Sequence, residues 1–100
     1  MIAFTAQSLL TPGESIAKPL VLVEEGIIAE VRARDASEIP RGVRVVNFGE
    51  TTIAPAYIDI HIHGGAGHDV MRADADGLAR FEQSLAGHGV GSYFPTTVTA

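Results

Sequence analysis

Tyr57, Asp59, His61 and His63 recur at every second position of one short stretch, Ala56-Tyr57-Ile58-Asp59-Ile60-His61-Ile62-His63-Gly64-Gly65. Read as a β-strand, this stretch puts those four side chains on one face and Ile58, Ile60 and Ile62 on the other. Alternate residues of a strand lie ~6.6 Å apart. Two imidazoles so spaced can converge on one divalent ion through bonds of ~2.1 Å. Such an ion would lower the pKa of its water and polarise an amide carbonyl. Metal-bound imidazoles usually donate their second N–H to a carboxylate or carbonyl, which makes Asp59 a candidate for orienting His61. The alternative is that His-X-His arises by composition on a solvated strand face. Against it stand the three isoleucines, which imply a strand buried on its apolar side, and a carboxylate that needs a partner wherever it is buried. Gly64-Gly65 ends the strand, placing His61 and His63 at its carboxyl end, where barrel and open α/β enzymes keep their active sites.

The residues that follow supply the rest of the candidate rim. Gly64-Gly65-Ala66-Gly67 reads as a flexible loop whose glycines let backbone approach a substrate, although it matches no phosphate-binding motif. His68, on the same loop, is either a substrate contact or a solvated histidine, and the sequence does not choose between them. Asp74-Ala75-Asp76 provides a helix cap and an acidic first turn, and Leu78, Phe81 and Leu85 keep helical spacing until Gly87 and Gly89. His88 falls in the helix-ending turn, where its role is structural. Val90 to Phe94 forms the next strand, which Pro95 closes, giving a strand-helix-strand unit with a parallel pair. Thr96, Thr97 and Thr99 then fall on the rim of the His pair, their hydroxyls touching substrate or, more simply, satisfying backbone.

The elements that lead into this unit are β-strands. Ile2 to Leu10 reads as one strand ended by the turn residues Thr11-Pro12-Gly13-Glu14. Leu20 to Val23 and Ile27 to Val31 form a hairpin about Glu25-Gly26, with so little polar surface that its sheet should be covered. Arg32 to Gly42 is a polar connector, and Val43 to Phe48 and Thr51 to Ala54 are two further strands. Pro55 restricts its neighbour and lacks an amide donor, so the domain boundary is placed there: residues 1–54 all-β, residues 55–100 α/β.

The chain has 100 residues, 46% of them hydrophobic, and a net charge of -5, a composition that supports a folded core. A complete (β/α)8 barrel takes about 250 residues, so only part of one fits. Scattered Lys and Arg residues give no footprint for nucleic acid or an anionic membrane. Without cysteine, any metal is held by nitrogen and oxygen. No apolar run is long enough to span a bilayer and the start carries no basic leader, which points to the cytoplasm.

The segment Pro55-Ala56-Tyr57-Ile58-Asp59-Ile60-His61-Ile62-His63-Gly64-Gly65 resembles the P-G-F-I-D-x-H-x-H-G signature that opens the barrel of the amidohydrolase superfamily. Gly65-Ala66-Gly67-His68-Asp69-Val70-Met71 and Gly89-Val90-Gly91-Ser92-Tyr93-Phe94-Pro95-Thr96-Thr97-Val98-Thr99 resemble one branch of it, the N-acetylglucosamine-6-phosphate deacetylases. Two positions depart from the pattern: Ala56 stands where Gly is usual and Gly91 where Thr is usual. The resemblance implies a partial β-sandwich of the urease-like composite type, then the first β-α-β unit of an incomplete TIM barrel. It implies metal ligation by His61 and His63, with Asp59, Gly64, Gly65, His68, Thr96 and Thr97 close to ligands or substrate. It implies one or two divalent ions (zinc, iron or manganese), an amino-sugar phosphate substrate and a homodimer of the full-length enzyme. The remaining ligands and the catalytic acid come from later strands, so this segment holds no catalytic residue and is inactive alone. Another amidohydrolase of the dihydroorotase or hydantoinase kind, or a non-catalytic β-sandwich assembly module, are the alternatives.

Overall fold

The apolar run Leu20-Val21-Leu22 makes β4 (Pro19–Glu24) the centre of the first half of the chain, with Pro19 through Leu22 buried. The computed structural model describes residues 1–35 and 39–99, and the chain divides into two units, Met1–Pro55 and Ala56–Ala100. In the first unit, β1 (Ile2–Thr5) pairs antiparallel with β4 and parallel with β6 (Arg44–Asn47). The chain leaves β4 through Glu25 and Gly26, whose φ values of 51° and 80° are the left-handed pair that a two-residue hairpin requires. It returns as β5 (Ile27–Ala33), completing a sheet of order β5-β4-β1-β6. Ala3, Leu20 and Leu22 form the core on one face, with Ile39 and Val43 packed against them. Phe4 stacks on Phe48 with ring centroids 5.9 Å apart.

Three features of this unit differ from the reading of the sequence. Ile2 to Leu10 is two strands: after β1 the chain breaks at Ala6-Gln7 and resumes as β2 (Ser8–Leu10) in a second sheet, between β3 (Ser15–Ala17) and β7 (Thr52–Ile53). The break is held by the N–H groups of Gln7 and Ser8, which both donate to the Thr51 carbonyl at 3.1 and 3.3 Å, and by Lys18 N–H, which donates to the Gln7 carbonyl at 2.8 Å. Second, the hairpin is covered only at β4; Ile27 and Ile28 on the outer strand are 71% and 63% exposed. An edge strand has a neighbour on one side only, so its apolar residues are buried less than those of the central strand. Third, the polar connector starts later than Arg32, because β5 extends to Ala33; within the connector, residues 36–38 lie outside the described residues. Leu9 and Val21, one from each sheet, line a common groove with Ile28, Val31 and Ile53, which makes the unit a partial β-sandwich.

The second unit opens with β8 (Tyr57–Ile62), which pairs in parallel with β11 (Val90–Pro95). Between them lie a short hairpin, β9 (Gly64–Gly65) and β10 (His68–Asp69), and the helix α1 (Ala75–Gly87). Asp74 caps α1, its carboxylate accepting the Gly77 N–H at 2.8 Å. At the other end His88 Nδ1–H donates to the Ser84 carbonyl at 2.7 Å, a structural role as its position implied. Phe81 carries the packing of the helix: it is 1% exposed, and its ring meets Tyr93 edge-on at 5.3 Å. The isoleucine face of β8 is not buried as the alternation suggested. Ile58 and Ile60 are 64% and 77% exposed, because a two-stranded sheet with a single helix packs against too little of itself to cover both faces.

The two departures from the amidohydrolase pattern explain one another. A Cβ built on Gly91 would stand 2.7 Å from the Cβ of Ala56, a separation that side chains do not tolerate. The methyl group at Ala56 therefore occupies space that the residue at 91 leaves free. Gly91→Ala alone is expected to lose about 1–3 kcal/mol by overpacking, and adding Ala56→Gly should recover most of it. Denaturant unfolding of the two variants measures this; full additivity would contradict the exchange.

Tyr93 Oη donates to Glu82 Oε1 at 2.9 Å. That hydrogen bond, then partial burial, then the carboxylate charge hold the phenol above its ordinary value of 10.0. A raised folded-state pKa means that this contribution to stability is present below pH ~10 and is lost as pH rises through the raised value. In a Tyr57→Phe background, which removes the other tyrosine of these 100 residues, absorbance titration of the 100-residue chain should show an elevated pKa that Glu82→Gln brings down.

Candidate metal centre

His61 and His63 turn their rings to the same side. Their Nε2 atoms stand 3.1 Å apart, and the ring planes meet at 73° with centroids 4.9 Å apart. Two ligands ~2.1 Å from a common ion, at tetrahedral to octahedral angles, stand roughly 3.0–3.4 Å apart. The observed spacing falls within that range without any rotation of either ring. Both residues are exposed, and the two Nε2 atoms are hydrogen-bonded to one another, a contact that a shared cation would replace. Among the described residues no group of three or more His, Cys, Asp or Glu side chains gathers to hold a metal. The donor set therefore fits two of the ligands of a divalent ion and no more.

The two histidines have separate supports. His61 lies within β8, where the pairing with β11 shifts register, and its N–H donates to Asp59 Oδ1 at 3.0 Å. Asp59 thus fixes the backbone of His61; the expected bond from the carboxylate to the imidazole is replaced by one to the main chain, because a carboxylate two residues back on a strand reaches the amide more readily. Between the histidines, Ile62 N–H donates to Thr96 Oγ1 at 3.1 Å and Ile62 carbonyl accepts Thr96 N–H at 2.8 Å. Thr96 therefore satisfies backbone beside the pair, while Thr97 is exposed.

His63 stands just past the end of β8, and its carbonyl accepts the Val70 N–H at 3.0 Å. The segment expected to be a flexible loop is a tight hairpin: Gly64 and Gly65 pair with Asp69 and His68 across a turn in which Ala66 and Gly67 have φ values of 51° and 81°. Gly64 has φ 151°, and a Cβ there would run into the His68 carbonyl oxygen, so glycine is required for the hairpin to close. His68 is half-buried with its ring against the first turn of α1, where its Nδ1 would lie 2.9 Å from a Cβ built on Gly77. Met71, overlooked in the sequence, accepts the Val98 N–H on its sulfur at 3.3 Å and ties the residues after β11 to those after β10. Nothing in the spacing of Met71 marks it. Gly77, also overlooked, carries a signal: glycine inside the first turns of a helix costs about 1 kcal/mol relative to alanine and asks for a packing reason.

No family model matches the sequence. The chain is 42% identical over 85 residues to an N-acetylgalactosamine-6-phosphate deacetylase of Escherichia coli O157:H7, an alignment covering 80% of this chain and 22% of that protein. It is 34% identical over 98 residues to the N-acetylglucosamine-6-phosphate deacetylase of Vibrio furnissii, covering 97% of this chain and 24% of that one. The crystal structure of N-acetyl-D-glucosamine-6-phosphate deacetylase from Mycobacterium smegmatis superposes with a TM-score of 0.78 at 27% identity, over 100% of this chain and 27% of that one. A variant of the same enzyme, solved with N-acetyl-D-glucosamine-6-phosphate bound, gives 0.76. The chain thus spans about a quarter of the length of the relatives it matches, at their amino-terminal end. Sequence and fold thus agree, over most of the length of this chain, in their likeness to the amino-terminal part of N-acetylglucosamine-6-phosphate deacetylases.

Proposed function

We propose that the complete protein to which this segment belongs hydrolyses the acetamide of N-acetylglucosamine 6-phosphate, giving glucosamine 6-phosphate and acetate, as a cytoplasmic, metal-dependent amidohydrolase. The observation that carries this reading is the 3.1 Å convergence of His61 and His63 Nε2 at the carboxyl end of the strand that opens the second unit. The likeness of the segment to named 6-phosphate deacetylases supports the substrate class.

In this reading the domains are those drawn from the sequence: a β-sandwich part over residues 1–54 and the opening of the barrel over residues 55–100. His61 and His63 supply two nitrogen ligands to a divalent cation (zinc, iron or manganese), and the remaining ligands come from chain outside this segment. The cation, when bound, acidifies a water and polarises the amide carbonyl. Asp59 and Thr96 hold the backbone of the ligand strand, so that the imidazoles meet the ion without reorganising. Gly64 and Gly65 keep the ground beside His63 free of side chains. His68 sets one ring nitrogen against α1 at Gly77. The leaving amine is protonated by an acid that this segment does not contain.

A second substrate is favoured by one observation, the 42% identity to a relative named for N-acetylgalactosamine 6-phosphate. The two sugars differ only in the configuration at C4, remote from the acetamide, and the same chemistry serves both.

In the full-length protein, His61→Asn and His63→Asn should each weaken divalent-metal binding by more than about 10-fold. Acetate release should fall by more than about 100-fold, since loss of a partner outside the coordination sphere already costs 10–100-fold. Metal analysis and acetate release from both 6-phosphates give the answer, and the ratio of kcat/KM values identifies the preferred epimer. Unchanged metal content and turnover in both variants would leave the histidines vestigial and favour a module that serves assembly.

A further inference from the structure

We infer that His68 is a positioning residue for His63, acting by docking the β9–β10 hairpin onto the amino-terminal turns of α1. The inference rests on the reading of His61 and His63 as metal ligands and adds to it what sets their separation.

The two imidazoles are one residue apart but are not held by the same structure. His61 belongs to a strand that pairs with β11 on both sides of it, at Asp59 and at Ile62, and Asp59 fixes its amide. His63 has left that ladder, and its carbonyl is held by Val70, the residue after β10. The position of its ring relative to His61 therefore follows the position of the hairpin. Two residues, from Gly64 to Gly65, separate His63 from the turn, and one pairing with His68–Asp69 closes it. A two-stranded hairpin this short has no stability of its own in water and must be held from outside.

What holds it is α1, at two points. Gly65 lies against the Phe81 ring, so closely that a Cβ there would stand 3.2 Å from Cε2. His68 lays its imidazole over Gly77, a buried helical position where a methyl group would meet Nδ1 at 2.9 Å and Asp74 Oδ1 at 3.1 Å. Glycine is otherwise a poor choice for the interior of a helix. The missing methyl group at Gly77 is the seat of the His68 ring. The chain of contact from helix to ligand is thus Gly77, His68, the hairpin with Val70, and the His63 carbonyl.

The test is made in the full-length protein with four variants: His68→Ala, His68→Phe, Gly77→Ala, and His68→Ala with Gly77→Ala. The readouts are the dissociation constant for Zn²⁺ or Co²⁺ alone, without substrate, and hydrogen exchange at the Val70 amide. His68→Ala and Gly77→Ala should each weaken metal binding about 10-fold, the lower end of the cost of losing a supporting partner, and speed exchange at Val70. His68→Phe, which keeps a flat ring over Gly77, should retain affinity within threefold. The double variant should be no worse than either single one, since both remove the same contact. Affinities within twofold of the parent in both single variants, or losses that add in full, would overturn the inference. Val70 exchange reads the docking whether or not the histidines bind metal. A failure of the metal-ligand reading, seen as unchanged affinity in His61→Asn and His63→Asn, is therefore separable from a failure of this one.

Discussion

The arrangement depends on holding two imidazole nitrogens 3.1 Å apart on a backbone that puts their Cα atoms ~6.6 Å apart. A strand does half of this by its pleat, which sends alternate side chains to one side. The other half is a matter of where the strand stops. His61 is the last but one residue of β8, and His63 lies beyond it, so the pair straddles the point at which the strand gives way to a turn. Strand regularity alone would fix both rings on one face, but the exit after Ile62 decides how closely their tips approach.

The backbone around the pair is satisfied accordingly. Asp59 takes the amide of His61, Thr96 takes the amide and supplies a donor to the carbonyl of Ile62, and Val70 donates to the carbonyl of His63. Each of these groups comes from a different place: the same strand, the end of the parallel neighbour β11, and the segment after β10. Satisfying the backbone with side chains and turn amides fixes the geometry of the site before any ligand arrives, which is the condition under which ligand binding needs no reordering of side chains.

Much of this was legible in the sequence, and the failures have physical causes. The alternation of Asp59, His61 and His63 was readable because strand periodicity acts over a few residues, and so were the Asp74 cap, the Glu25-Gly26 turn and the end of β11 at Pro95. The break between β1 and β2 was hidden because both strands are apolar, and the only local sign is the polar Gln7-Ser8. The closure of Gly64 to Asp69 into a hairpin was masked by its glycines, which signal backbone freedom without saying whether it is spent on mobility or on a tight turn. The exposed side of β8 was misjudged because an apolar face states a need for burial, while its fulfilment depends on what else packs there. His68 was ambiguous for the reason that makes it interesting: its partner is a missing methyl group at Gly77, which only the three-dimensional arrangement connects to it. The exchange between Ala56 and Gly91 was likewise visible as two anomalies but not as one.

The proposed metal centre stands on the convergence of His61 and His63 on a single ion. The most direct measurement is a crystal structure of the full-length protein grown with Zn²⁺ or Mn²⁺, with anomalous diffraction collected at the metal edge. An anomalous peak ~2.1–2.2 Å from Nε2 of both residues is expected. A fully occupied peak elsewhere, with the two rings turned apart and free of metal, would contradict it.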